Sequence, residues 1–245
     1  MKLMFVVTAV IISIPAISQS LQLQYDMRHT IDNKQNARNY VSLYFEYFKN
    51  QDSGKGVIKP GSFLFKSQAD FAGQHGNINN FYMQVSQTVR MWKPKIFINL
   101  QYSGGLGVTE PKEYSYYITN TYSIGIAYPF RWGNAWLSSV LNYKYVSYKK
   151  PSNDFLYTLY WWRGWWNYKV ECSGDFSLWT ENRNHGDDIT KDLVGKAFYF
   201  FAEPQISYNI SKNLSAGSKV YTYYHVLIPR NHMEVYPVII VKCKF

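Results

Sequence analysis

The chain has 245 residues, a formal net charge of +10 and a hydrophobic fraction of 47%, and 19% of its residues are aromatic, including 23 Tyr and 8 Trp. No apolar run approaches the ~20 residues that a spanning helix needs, so a helical membrane protein is excluded. A soluble globule would bury more Leu, Ile and Val in place of Trp and Tyr, whereas a membrane β-barrel combines aromatic girdles with a polar lumen that lowers the mean hydropathy, here slightly negative.

In chain order, Met1-Lys2 supplies a positive start and Leu3 to Ile14 a mostly apolar run. Pro15 breaks that run, and Ala16-Ile17-Ser18 gives the small-x-small pattern of a cleavage site before Gln19. Residues 1–18 are therefore expected to be a signal peptide and residues 19–245 an outer-membrane β-barrel. No lipoprotein cysteine stands directly after the cleavage site, so an acyl anchor is not expected.

Twelve segments with period-two alternation follow, near residues 21–28, 39–49, 60–71, 80–92, 95–104, 117–129, 135–148, 153–162, 167–180, 197–209, 214–226 and 234–245. They predict an all-β fold, a 12-stranded antiparallel transmembrane β-barrel, the even count suiting a single-chain closure. Trp92-Lys93-Pro94, Phe130 to Asn134, Arg163 to Trp166 and Ser211-Lys212-Asn213 read as tight turns, and Gly104 to Tyr116 and Glu181 to Lys196 as long polar loops. Short turns belong on the periplasmic side and long loops outside. The stretch Asn50 to Pro60 breaks the rule, being long on the short side. Trp92, Trp132, Trp165 and Trp166 in the turns fit a periplasmic aromatic girdle.

The final segment alternates Val235, Pro237, Ile239, Val241, Cys243 and Phe245 on one face against Tyr236, Val238, Ile240, Lys242 and Lys244 on the other. A terminal aromatic on such a strand is the ending of an outer-membrane barrel, where the last strand pairs with the first and leaves no unsatisfied edge in lipid. Cys172 and Cys243 fall outward on non-adjacent strands, so two free thiols are expected rather than a disulfide. The charge of +10 has two readings: attraction of lipopolysaccharide or an anionic solute, or solvated loops and turns.

A charge on the lipid face costs about 2–4 kcal/mol near the bilayer centre for Arg or Lys. The charged face of each segment must therefore look inward. That places Glu46, Lys66, Asp70, Arg90, Lys144, Glu171, Asp175, Glu203, Lys219 and Lys242 in the lumen, with Tyr44, Phe97, Asn99, Gln101, Asn142, Tyr199, Phe201 and Tyr221. The residues alone leave two readings open. Opposite charges pair and fill a narrow barrel, or rings and amides line a path for a flat polar solute. The candidate solute contacts are Glu203, Gln205, Asp175, Glu171, Arg90 and Tyr199.

The tenth segment, Phe198-Tyr199-Phe200-Phe201-Ala202-Glu203-Pro204-Gln205-Ile206-Ser207-Tyr208-Asn209, resembles the Glu-Pro strand of the Tsx-like outer-membrane family. Tyr102 to Leu106, Gly174-Asp175-Phe176 with Trp179, the Gly217 region and Pro237 to Phe245 are similar in the same order. The resemblance implies a twelve-stranded channel for nucleosides or similar solutes. It does not extend to a residue-by-residue match of the nucleoside contacts.

The histidines fall on outer loops or their edges, and apart from His225 at the rim none sits on an expected membrane strand beside a serine, as a base for a nucleophile would. Neither catalysis nor a metal or other cofactor is expected. The expected partners are a small polar, nucleoside-like solute and outer-membrane lipid with lipopolysaccharide, with no nucleic acid, in a monomer of the cell outer membrane. A non-conducting structural or surface-interaction barrel is the alternative function.

Overall fold

The computed structural model describes residues 17–50, 57–109, 114–227 and 231–245. The signal peptide expected over residues 1–18 lies outside them except for Ile17 and Ser18, as do residues 51–56 of the long stretch between Asn50 and Pro60. The described chain is almost entirely strand: β1 Ile17–Asp26, β2 Tyr40–Asn50, β3 Lys59–Asp70, β4 Asn80–Arg90, β5 Phe97–Val108, β6 Ser115–Trp132 and β7 Ala135–Val146. Then come β8 Ser152–Trp165, β9 Val170–Asn182, β10 Lys196–Ala202, β11 Gln205–Asn209, β12 Leu214–Tyr224 and β13 Met233–Lys244. A four-residue helix, α1 (Arg28–Ile31), follows β1.

From β1 to β9 each strand pairs antiparallel with its neighbour in sequence, β12 pairs with β13, and β1 also pairs with β13, which closes the ring. The segments β10 and β11 keep one register against both β9 and β12, so they are two halves of a single stave. The result is a closed twelve-stave antiparallel barrel. The tenth stave, predicted as one unbroken strand, is interrupted at Glu203-Pro204 because proline has no N–H to give the ladder. The gap is held by Glu203 N–H donating to the Asp175 carbonyl (2.9 Å) and Val220 N–H donating to the Pro204 carbonyl (2.9 Å).

Closure falls where the terminal alternation puts it. Leu21 lies opposite Cys243 and Tyr25 opposite Ile239, and Phe245 N–H donates to the Gln19 carbonyl (3.1 Å). On β13, Tyr236, Val238, Ile240 and Lys242 are buried, while Val235, Ile239 and Val241 are exposed. The same alternation around the ring exposes Leu43, Phe81, Leu100, Ile126, Leu141, Phe155 and Ile206 outside. An apolar outer wall over a polar interior is what lipid demands of strands whose backbone groups are all satisfied by neighbours. Both cysteines are free, Cys243 being exposed.

One turn is tighter than expected and another is shifted along the chain. β6 runs through Phe130-Arg131-Trp132, leaving Gly133-Asn134 as the turn, with Gly133 at a positive φ of 56°. β8 extends through Trp165, and the reversal moves to Trp166, Asn167 and Tyr168, all at positive φ. Lys169, inside the ninth expected segment (167–180), therefore sits in that turn, because the hairpin closes later than the alternation suggests.

Candidate functional site

The lumen is organised in three levels along the barrel axis. At the middle, the Lys66 ammonium of β3 lies 2.5 Å from an Asp175 carboxylate oxygen on β9 and 2.9 Å from Glu203 at the break in the tenth stave. Lys219 of β12 donates to the other Glu203 oxygen at 2.9 Å. All four are buried: Lys66 is 8% exposed, Asp175 5%, Glu203 8% and Lys219 2%. β3 and β9 are opposite walls, with five staves between them in either direction. One lysine side chain thus spans the lumen.

Removing four charges from water is costly unless each finds partners of opposite sign and good geometry. Here two cations share two carboxylates, and rings complete the shell. Lys219 lies over the Tyr44 and Tyr221 rings (4.4 and 5.1 Å) and Lys66 over Tyr160 (5.5 Å), each within cation–π range. Gln84 holds the Tyr160 hydroxyl at 3.1 Å, and the Tyr221 hydroxyl reaches Gln24 at 2.8 Å.

Towards the short turns, the Lys244 ammonium holds Glu171 through both carboxylate oxygens (2.8 and 2.9 Å), and Asn209 donates to the same group. Gln205 donates to Ser173 at 2.8 Å. Arg90 donates to the Lys93 carbonyl (3.0 Å) and lies over the Phe97 ring. Phe48 of β2 and Trp136 of β7 meet across the interior with centroids 6.2 Å apart, a second bridge below the first.

Towards the long loops the interior becomes aromatic. Trp179 and Tyr199 stack at 5.4 Å and 8°. Lys144 lies 5.0 Å from the Trp179 ring and donates to Glu181 at 2.7 Å. Phe201, Tyr221, Tyr223 and Tyr236 form a linked run of rings on the adjoining wall.

Among the expected solute contacts, Asp175 and Glu203 share the central cluster, with Gln205 just below. Glu171 and Arg90 lie near the short-turn end and Tyr199 near the long-loop end, so the six do not form one site. Lys66 and Lys219 were assigned to the lumen by alternation but not to the site, because alternation cannot say which charges meet across the barrel. Among the described residues, no group of three or more His, Cys, Asp or Glu converges as metal ligands. On the outer loop, two N–H groups and the Thr190 hydroxyl donate to Asp187, holding its carboxyl below the usual range.

A family model described as a domain of unknown function (DUF5020) matches residues 18–245, and the chain belongs to that family. A comparison with curated proteins finds no match. Among solved structures, the KdgM porin is similar at 8% identity and a TM-score of 0.47, over 92% of this chain and 99% of that one. An anion-selective porin from Comamonas acidovorans follows at 8% identity and 0.43, over 94% and 98% of the two chains. LpxR from Salmonella typhimurium gives 7% identity and 0.41, over 93% and 100%. At such scores these likenesses decide nothing, and the architecture rests on the closed hydrogen-bonded ring itself.

Proposed function

We propose that this DUF5020-family chain is an outer-membrane barrel that takes small polar solutes into an aromatic outer vestibule and meters their passage at the central ion cluster. The observation that carries the reading is the Lys66 contact with Asp175 and Glu203, which sets a constriction across the full width of a closed barrel with an apolar exterior. A solute arriving from outside meets rings first and then a neutral set of charges that can exchange one partner for another. The mature barrel begins near Gln19, works as a monomer in lipid and lipopolysaccharide, and performs no chemistry on its solute.

Nucleosides are the solute class favoured by the Tsx-like resemblance and by the Trp179–Tyr199 stack. Stacking on an aromatic contributes about 1–3 kcal/mol per base and tolerates base identity. Planar-bilayer recording tests the reading. Wild type should give small single-channel currents that uridine or adenosine reduces. Lys66→Ala combined with Asp175→Ala should raise the conductance several-fold. Silence from both proteins after verified insertion would end the channel reading.

A second reading, a non-conducting structural barrel, is favoured by the additional Phe48–Trp136 bridge. It expects the double variant to stay silent until Trp136→Ala is added.

A further inference from the structure

The outer vestibule has an uneven balance of charge on one of its walls. Three of its inward carboxylates have a cation. Asp26 pairs with Arg28 (2.8 Å), Asp154 with Lys196 (2.6 Å) and Glu181 with Lys144 (2.7 Å). Asp70 and Glu234 have none among the described residues. Asp70 accepts from the Ser42 hydroxyl (2.7 Å) and the Gln68 amide (2.8 Å). Glu234 is 5% exposed, receives only the Tyr236 hydroxyl (3.2 Å), and its second oxygen is buried without a partner. Asp26, Asp70 and Glu234 stand on the neighbouring strands β1, β3 and β13, with Tyr40 of β2 between the first two.

The same wall already holds a cation. The Arg28 guanidinium of α1 lies 4.9 Å from the Tyr40 ring and 5.0 Å from the Tyr236 ring. Its Nε and Nη2 donate to the two oxygens of Asp26, at 3.1 and 2.8 Å. Two ring faces and a forked carboxylate contact form an aromatic cage for a planar cation. The occupant is carried by the segment that follows β1. That segment is fastened over the site by Met27 N–H donating to the Pro237 carbonyl (3.1 Å) and Asn36 donating to the Tyr236 hydroxyl (3.3 Å).

We infer that the Tyr40–Tyr236–Asp26 cage is a subsite for an organic cation of the guanidinium or alkylammonium class, with Arg28 as its resident occupant. Asp70 and Glu234 supply negative charge that Arg28 alone does not balance. Although the chain carries +10 overall, this wall selects against anions: local carboxylates set the field a solute meets, and distant loop charges are screened. A solute cation must displace Arg28, so its apparent affinity is lowered by the fraction of time the cage is filled. The inference rests on the solute-binding reading above and adds the sign of charge and the place.

Calorimetry on the purified barrel in detergent micelles tests it with agmatine as the cation and galacturonate as the anion. Arg28→Ala should bind agmatine about tenfold tighter than wild type or better, because the occupied fraction is removed. Adding Asp26→Asn should reverse that gain, and galacturonate should bind to none of the proteins. Arg28→Lys keeps a cation in the cage without the forked contact, so its agmatine affinity should fall between wild type and Arg28→Ala, a graded result that misfolding would not give. Equal agmatine affinity in wild type and Arg28→Ala, indifference to Asp26→Asn, or preference for galacturonate would each overturn the assignment. Binding without conductance would overturn only the channel reading, and conductance without agmatine binding only the cage.

Discussion

At Glu203 one carboxylate serves two ammonium groups, Lys66 and Lys219, each at 2.9 Å. Removing one member of such a buried set leaves an uncompensated charge, which costs about 3–5 kcal/mol. Glu203→Ala should therefore lower the unfolding free energy of the refolded barrel, read from urea denaturation, by that amount. Replacing all four members with apolar residues of similar volume should restore most of it, since ion clusters stabilise less than they appear to. A stability loss in the single variant below about 1 kcal/mol would show the cluster to be hydrated and open. On the outer loop, Asp187 depends on being charged to accept its three hydrogen bonds. Its folded-state carboxyl is depressed, so the loop contribution is present above the ordinary carboxylate range and lost as pH falls through the lowered value. A proton-NMR titration of Asp187 against Asp187→Asn should show that midpoint below the unfolded one.

At the scale of single staves, the barrel depends on close backbone approach where the lumen side of one strand meets the next. Gly217 of β12 faces Ser207 of β11, and a Cβ there would run into the Ile206 carbonyl. Gly217→Val should therefore prevent the β11–β12 ladder from closing, measured as loss of the heat-modifiable band on a gel, while Ser218→Val, pointing to the other face, should fold. The tenth stave was legible as a strand because its alternation runs through Glu203 and Gln205 unbroken. Its interruption at Pro204 was not anticipated, because the alternation carries on past the proline just as the register does. The turn positions were less readable. From Arg163 to Tyr168 the sequence mixes Trp165, Trp166 and Tyr168 with Gly164 and Asn167, and which of those residues takes a positive φ depends on where the neighbouring staves stop pairing.

For the barrel as a whole, the surrounding solvent decides the outer face. Ile126 lies outside, 57% exposed, midway along β6. Ile126→Arg should cost about 2–4 kcal/mol in bilayers, and much less in a detergent micelle that can deform around it. The free Cys243 reports on the same boundary. It should react with a water-borne maleimide after denaturation and resist it in lipid vesicles. Rapid labelling in intact vesicles would place that wall in water and contradict a membrane barrel.

The sequence by itself determined the twelve staves, their inward and outward faces and the seam at Phe245. Period-two alternation is a local property, and lipid forbids charge on one of the two faces. It also put Lys66, Asp175, Glu203 and Lys219 inside the barrel. Only the tertiary structure decided that these four meet. Lys66 and Asp175 are 109 positions apart on opposite walls, and their contact depends on how closure and strand stagger set the height of each residue along the axis. The same closure brings Arg28 onto rings from β2 and β13, far apart in the chain and neighbours only because β1 is paired on both sides.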